Sequence, residues 1–175
     1  MADRPITILP PTLERVLDGT CTRLRRPTGT LSRLATGDYL WLREQFYLSR
    51  QFEYTAPLVA MSRGAVPVYA SDRQFLPSFA CGDLGRRRFA RELPKAWHRA
   101  HLQILHFDAQ PLHAITDKDI AAEGHESRDL YARAWDAGVS LSSRGDQWRA
   151  NPTVLVITFR AINAPLSLQQ ESLTS

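Results

Sequence analysis

Apolar and polar positions near the start of the chain predict a short helix. Leu13, Val16 and Leu17 recur at helical spacing after two prolines, and Gly19 follows them. An early proline suits the first turn of a helix, and a glycine just past the last apolar position suits its C-terminal end. We therefore predict a helix that begins near Thr12 and ends in a turn.

Two further helices are predicted in the second half of the chain. Thr116 and Ser127 are N-cap residue types, and Gly124 and Gly138 are placed to end the helices that they begin. Acidic residues in the first turn after Thr116 favour the same assignment, because they complement the helix dipole.

Runs of aromatic and β-branched residues predict five strands. They cover residues 39–46, 52–54, 67–70, 101–107 and 153–160. The last run is nearly continuously apolar, which is typical of an interior strand covered on both faces.

The mixture of elements indicates the fold class and the domain organisation. Short helices that alternate irregularly with short strands predict one α+β domain over residues 1–162, with a small barrel rather than a doubly wound sheet. Within it, residues 61–92 are predicted to be an insertion. Residues 163–175 have little to bury and are predicted to be a flexible tail.

Composition narrows the class of protein. With 175 residues, 43% of them hydrophobic and 23% charged, the chain has enough apolar side chains for one core, which excludes wholesale disorder. No apolar run reaches the roughly 18–20 residues of a membrane span, and the N-terminus lacks the pattern of a signal peptide. Cys21 and Cys81 are too few for a disulfide framework. We expect reduced thiols, a cytoplasmic location and no membrane partner.

The charge distribution indicates a partner. Of 22 basic residues 20 are arginine, and the first 100 residues carry 16 basic against 9 acidic residues, whereas the remainder carries 6 against 9. The densest run, residues 86–99, is interleaved with Phe89 and Trp97. Arginine binds phosphate through its planar fork, and aromatic residues between basic ones suit single-stranded nucleic acid. The alternative is an ordinary solvated surface.

Several catalytic signatures do not occur in the sequence. There is no Walker phosphate loop, no H-E-x-x-H, no G-x-S-x-G and no G-x-G-x-x-G. His98 and His101 are three positions apart, but no further set of metal ligands surrounds them. We therefore predict neither a metal site nor a cofactor.

Short motifs in a fixed order carry a resemblance to a known family. They read G-T-C-T-R-L-R-R over residues 19–26, G-D-Y-L-W-L-R-E over 37–44, L-P-K over 93–95, A-A-E-G over 121–124 and N-P-T-V over 151–154. In that order they resemble the ASCH domain of the PUA-like superfamily, particularly its longer bacterial and phage-type members. The family pattern is approximately G-x-K-T-x-T-R-R, G-D-x-L-W-V-R-E, M-P-R-W, A-x-x-E-G and N-P-x-V. The resemblance covers residues 5 to about 162.

The resemblance implies a PUA-like β-barrel with flanking helices and a cleft for RNA or a modified nucleoside. Some members of the family hydrolyse the amide of N4-acetylcytidine with a Lys, a Thr and a Glu, and ribonuclease activity is attributed to others. Carried over to this sequence, the Glu is Glu123, but the Lys position is Cys21 and the Thr position is Leu24. An amide hydrolase needs a nucleophile or base and an oxyanion donor, and Leu24 supplies neither.

Three functions therefore stay open. The leading interpretation is a domain that binds RNA or a nucleobase-containing ligand. The second is an enzyme, either an N4-acylcytidine-type amidohydrolase with Cys21 and Glu123 as catalytic residues or a ribonuclease. The third is a protein-interaction module. For Cys21 the alternative to catalysis is a passive, buried thiol.

The candidate binding residues follow from the motifs and the basic run. Phosphate contacts are assigned to Arg23, Arg25, Arg26, Lys95 and Arg99. A base edge is assigned to Glu44 or Glu123, with a structural salt bridge to an arginine as the alternative for Glu44. Trp41 and Arg43 join the candidate interface, with a core role as the alternative for Trp41. We expect the 19–26 turn, the end of the 37–44 strand and Glu123 to border one pocket.

Overall fold

The chain forms an α+β fold. In the computed structural model, residues 3–29, 31, 33–139 and 144–164 are described. The strands within these ranges are β1 (Asp3–Thr7), β2 (Arg23–Pro27), β3 (Tyr39–Arg43), β4 (Phe46–Tyr47), β5 (Val68–Tyr69), β6 (His101–Pro111) and β7 (Thr153–Ile162). The α-helices are α1 (Thr12–Leu17), α2 (Pro57–Ser62), α3 (Ser78–Gly82), α4 (Asp117–Ala122) and α5 (Arg128–Gly138). Short 3-10 helices lie at Arg50–Phe52, Ala70–Phe75, Ala90–Glu92, Lys95–Trp97, Leu112–Ala114, Arg144–Asp146 and Trp148–Ala150.

A mixed five-stranded sheet contains the longest strands. Its order is β1-β3-β6-β7-β2, and β4 pairs with β5 in a separate two-stranded sheet. β2 runs antiparallel to β7, with Leu24 opposite Ile157. Val156 and Ile157, whose side chains alternate between the two faces of β7, are both buried. The prediction of an interior strand covered on both faces is confirmed.

The predicted helices are present, and their caps explain where they begin. The Thr116 side chain accepts a hydrogen bond from the Asp119 N–H, and the Ser127 side chain accepts one from the Leu130 N–H. These bonds satisfy backbone donors that have no partner inside a helix. The helix predicted from Thr12 is α1, and the strands predicted at 67–70, 101–107 and 153–160 correspond to β5, β6 and β7.

Two predicted elements differ from the structure. The predicted strand at residues 52–54 was wrong, because Phe52 ends the 3-10 helix Arg50–Phe52 and the next two residues form a turn. Its carbonyl groups bond to the Arg88 guanidinium instead of a neighbouring strand. The predicted strand 39–46 is interrupted between β3 and β4, because Glu44 leaves the ladder to pair with Arg99.

The chain divides into two compact units, each with its own core. The first unit contains Asp3, Pro11–Leu40 and Leu102–Ile162, and the second contains Arg4–Pro10, Trp41–His101 and the described residues 163 and 164. One core packs Leu112, Ile115, Ile120, Tyr131, Val154 and Val156. The other packs Phe46, Leu48, Ala60, Ala65 and Leu93.

Residues 61–92 belong wholly to the second unit, and their assignment as an insertion stays a prediction. The predicted tail lies almost entirely outside the described residues. Among the helices that the structure describes, none has the length and apolar character needed to cross a bilayer.

Candidate functional site

Cys21 lies in the interior of the first unit, in the turn after α1. Its side chain is 1% exposed, and its thiol donates to the Arg23 carbonyl oxygen at 3.2 Å. Burial raises the pKa of Cys21 to about 12, and the neighbouring Glu123 carboxylate adds to the shift. The side chain is therefore a neutral thiol at neutral pH, which is a poor nucleophile.

Arg25 on β2 is the centre of a buried ion-pair cluster in the same unit. Its side chain is 1% exposed, and its Nη2 donates to Asp119 at 2.7 Å while its Nη1 donates to Glu123 at 3.4 Å. Arg23 approaches the same Asp119 at 3.6 Å. Burial raises the pKa of Asp119, but the hydrogen bond and charge of Arg25 outweigh it, so this pKa lies below its usual range. Both candidate phosphate ligands are therefore engaged by protein carboxylates.

Glu123 sits at the C-terminal end of α4 and is 5% exposed. Burial raises the pKa of Glu123 to about 7, although Arg25 and Arg26 oppose the shift. The Tyr131 hydroxyl donates to its carboxylate. Burial also lowers the pKa of Arg26, a half-buried residue whose Nη1 donates to the Arg25 carbonyl at 3.0 Å. The cluster thus combines two guanidinium groups with a carboxyl that takes up a proton near neutral pH.

Packing explains two of the motif residues around this cluster. Gly124 has φ +86°, and a Cβ there would lie 3.2 Å from the Pro11 Cβ, so glycine both relieves backbone strain and permits close packing. Asn151 has φ 44°, a left-handed conformation that asparagine tolerates, and its Oδ1 accepts from the His113 N–H at 2.7 Å. The glycine of A-A-E-G and the asparagine of N-P-T-V therefore have structural roles.

Glu44 belongs to the second unit, where Arg99 holds it. The Glu44 side chain is 1% exposed, and Arg99 Nε and Nη2 donate to its two oxygens at 2.8 and 2.7 Å. Arg99 also donates to Asp72 at 2.6 Å and to the Ser71 hydroxyl at 2.8 Å, and its guanidinium lies 4.2 Å from the centre of the Tyr69 ring. Hydrogen bonds to the protein thus occupy Nε and both terminal nitrogens of Arg99. The structural salt bridge considered for Glu44 is present.

Trp41 and Arg43 stack on each other in the second unit. The Arg43 guanidinium lies 4.7 Å from the centre of the Trp41 ring, and Trp41 is 6% exposed. The His98 ring packs beside Trp41 at a centroid distance of 6.0 Å. Burial leaves little of the Trp41 ring surface available to a base.

The arginine run in the second unit is not uniform. Arg88 is 3% exposed, and its Nη2 donates to the carbonyl oxygens of Phe52, Glu53 and Thr55 at 2.8, 3.0 and 2.8 Å. Its neighbour Arg87 is exposed. Further exposed basic side chains of this unit are Arg50, Arg63, Arg73, Arg86, Arg91 and Lys95.

The structure thus brings part of the predicted site together. Cys21, Arg25 and Glu123 lie in one buried cluster of the first unit, and Cys21 responds to the Glu123 charge. Glu44 lies in the second unit with Arg99.

Sequence reasoning missed three polar residues of these clusters, Asp119, Tyr131 and Asp72. Asp119 and Tyr131 lie on predicted helices, but helical spacing alone does not indicate which side chains of other elements they meet. Asp72 lies in a segment where the pattern of apolar residues predicts no element, so no signal marked it.

The described residues contain no group of three or more His, Cys, Asp or Glu side chains arranged to hold a metal ion. Comparison of the chain with protein-family models, with curated proteins and with solved structures finds no match in any of the three. The resemblance to ASCH domains therefore rests on the motif residues alone.

Proposed function

We propose that this chain binds RNA and that the surface of residues 41–101 contacts the phosphate backbone. The observation that carries the proposal is the distribution of exposed charge. Residues 41–101 contain ten basic and five acidic residues, and seven of the basic side chains are exposed against one acidic side chain, Asp83. An exposed excess of arginine attracts a polyanion and binds phosphate oxygens bidentately.

The finer architecture is part of the same proposal. We infer a PUA-like barrel of the ASCH type, supported by the α+β class and by the positions of the motifs. The residue pair Gly37 and Asp38 precedes β3, and Asn151 and Pro152 precede β7, which is where the family pattern expects strands to begin.

Binding without turnover is favoured over the amidohydrolase alternative. The Cys21 thiol is buried with a pKa of about 12, and Leu24 is fully buried and carries no polar group. Amide hydrolysis requires an accessible nucleophile, acid or base at the substrate.

The test is fluorescence anisotropy of a labelled single-stranded RNA over a range of salt concentrations. The logarithm of the binding constant falls linearly with the logarithm of the salt concentration, and each arginine that neutralises a phosphate contributes roughly 0.7 to the slope. The double variant Arg86→Ala with Arg87→Ala should therefore make the slope shallower by about 1.4. Arg88 stays unchanged because it is buried, and Arg133→Ala, an exposed arginine of the first unit, is the matched control with an unaltered slope.

Two results would contradict the proposal. The first is no detectable binding of the unmodified protein to RNA at low salt, or a slope that the double variant does not change. The second is hydrolysis of an acylated cytidine by the unmodified protein that alkylation of Cys21 abolishes, which would favour the amidohydrolase.

A further inference from the structure

Two aromatic side chains of the second unit are exposed on segments that Arg88 joins. Tyr54 is 95% exposed and Phe89 is 56% exposed. Tyr54 lies between Glu53 and Thr55, whose carbonyl oxygens both accept from Arg88 Nη2, and Phe89 is the next residue after Arg88. A single buried guanidinium therefore holds the two segments that carry the exposed rings.

The backbone of Arg88 is also held in place, by hydrogen bonds to Phe46. The Arg88 N–H donates to the Phe46 carbonyl at 2.8 Å, and the Phe46 N–H donates back to the Arg88 carbonyl at 3.4 Å. Phe46 itself is fully buried in the core of the second unit. The aromatic pair is thus presented by backbone that is anchored to the core, which reduces the entropy cost when a ligand binds.

Basic residues lie close to Phe89 in space or in sequence. The Arg91 guanidinium lies 4.8 Å from the centre of the Phe89 ring, and Arg87 is exposed two positions before it. Arg86 forms a salt bridge with Glu92 at 3.2 Å. Exposed rings among arginines have the composition of sites where bases stack and phosphates are neutralised.

We propose that Tyr54 and Phe89, with Arg87 and Arg91, form a stacking site for the bases of single-stranded RNA. This inference rests on the proposed function and adds the class of RNA and the contact mode. Bases in a duplex are stacked on one another and cannot lie flat on a protein ring, so the site selects unpaired strands. The positive charge beside Phe89 favours RNA over a neutral protein partner.

The experiment measures binding of a labelled single-stranded RNA and of a duplex of the same length to the intact chain. Tyr54→Ala and Phe89→Ala are each expected to weaken single-strand binding about 5-fold or more, the lower end for a base stacked on an aromatic ring. The salt dependence should stay unchanged, because neither variant removes a cationic side chain. Tyr54→Phe should bind normally, whereas Tyr54→Leu, which keeps apolar area without the ring, should resemble Tyr54→Ala.

Phe75→Ala is the matched control, because Phe75 is 79% exposed but lies outside the two segments that Arg88 joins. It should change affinity less than twofold. Since all three rings are largely exposed, the variants should fold normally, and circular dichroism checks this.

The outcomes separate this inference from the proposed function. If the unmodified protein binds RNA with the expected salt dependence but Tyr54→Ala and Phe89→Ala bind equally well, the stacking site is wrong and RNA binding stands. Equal binding of duplex and single strand also overturns the stacking site alone. The unmodified protein could also form a concentration-dependent dimer that the aromatic variants do not form, with RNA binding unchanged. That result would assign the surface to a second copy of the chain. No RNA binding at low salt overturns both.

Discussion

Glu123 should make the fold less stable as pH rises, which is the opposite of the effect of a carboxylate whose pKa a salt bridge lowers. Its pKa is about 7 in the folded protein, whereas an unperturbed glutamate has a pKa of about 4.5. Between these values the folded protein holds a proton that the unfolded chain has released. The free energy of unfolding should therefore fall as pH rises from about 4.5 to about 7, and the contribution of Glu123 should be constant above that range.

The size of the effect follows from the shift. A pKa difference of one unit corresponds to about 1.4 kcal/mol, so a shift from 4.5 to 7 corresponds to about 3 kcal/mol. Replacing Glu123 by Gln imitates the protonated side chain and removes the titration. Glu123→Gln should match the unmodified protein near pH 4.5 and be more stable by about 3 kcal/mol at pH 8.

The assay is urea denaturation of both proteins at several values between pH 4.5 and 8. The difference between the two free energies of unfolding cancels other groups, such as His125, whose pKa burial lowers. Asp119 contributes in the opposite sense, because its pKa is lowered and its stabilisation is lost only as pH falls below this window. Glu126→Gln, a change at an exposed glutamate, is the control and should keep the profile of the unmodified protein.

Two results would refute the reasoning. One is a free energy of unfolding for the unmodified protein that exceeds that of Glu123→Gln at pH 8, which would mean that the ion pair with Arg25 outweighs burial. The other is a difference between the two proteins that does not change with pH.

Three further predictions concern single side chains. Arg88→Ala should lower the free energy of unfolding by about 3 kcal/mol, because three carbonyl groups lose their hydrogen-bond donor. Arg87→Ala, at an exposed side chain, should change it by less than about 0.5 kcal/mol. Urea denaturation measures both variants, and equal effects would contradict a structural role for Arg88. In the native protein iodoacetamide should modify half-buried Cys81 well before Cys21, as followed by mass spectrometry, and equal rates would show that Cys21 is accessible. Arg99→Lys should cost about 2 kcal/mol of stability, because an ammonium cannot bond both oxygens of a buried carboxylate through a planar fork, and an unchanged urea midpoint would count against that geometry.

Local signals in the sequence predicted the regular elements well. The Thr116 and Ser127 caps, the turn at Gly19 and the apolar run of β7 are each set by residues within a few positions of one another. The wrong strand at residues 52–54 has the opposite cause. Its aromatic residues favour a strand, but its carbonyl groups bond to Arg88, which is more than 30 positions away, and no local pattern contains that interaction.

The same reason limits what the sequence reveals about the site. The position of Glu123 at a helix end was predicted, but its pKa is raised by burial, and its ion pair is with Arg25, which is 98 positions earlier. Glu44 and Arg99 were both candidates for ligand contacts, yet they bond to each other across 55 positions. Residues 87 and 88 are both arginine, so the sequence does not indicate that Arg87 is exposed and Arg88 is buried.

The pairing of β2 with β7 has a consequence for synthesis of the chain. Leu24 lies opposite Ile157, about 130 positions later, so β2 leaves the ribosome long before its partner exists. At about 5–20 residues per second this interval is roughly 7 to 26 s. During it residues 41–101, which include the second core, are complete, whereas Leu24 and its strand lack the neighbour that buries them. An incomplete chain therefore presents an open strand edge, and release from the ribosome before β7 emerges exposes it to aggregation.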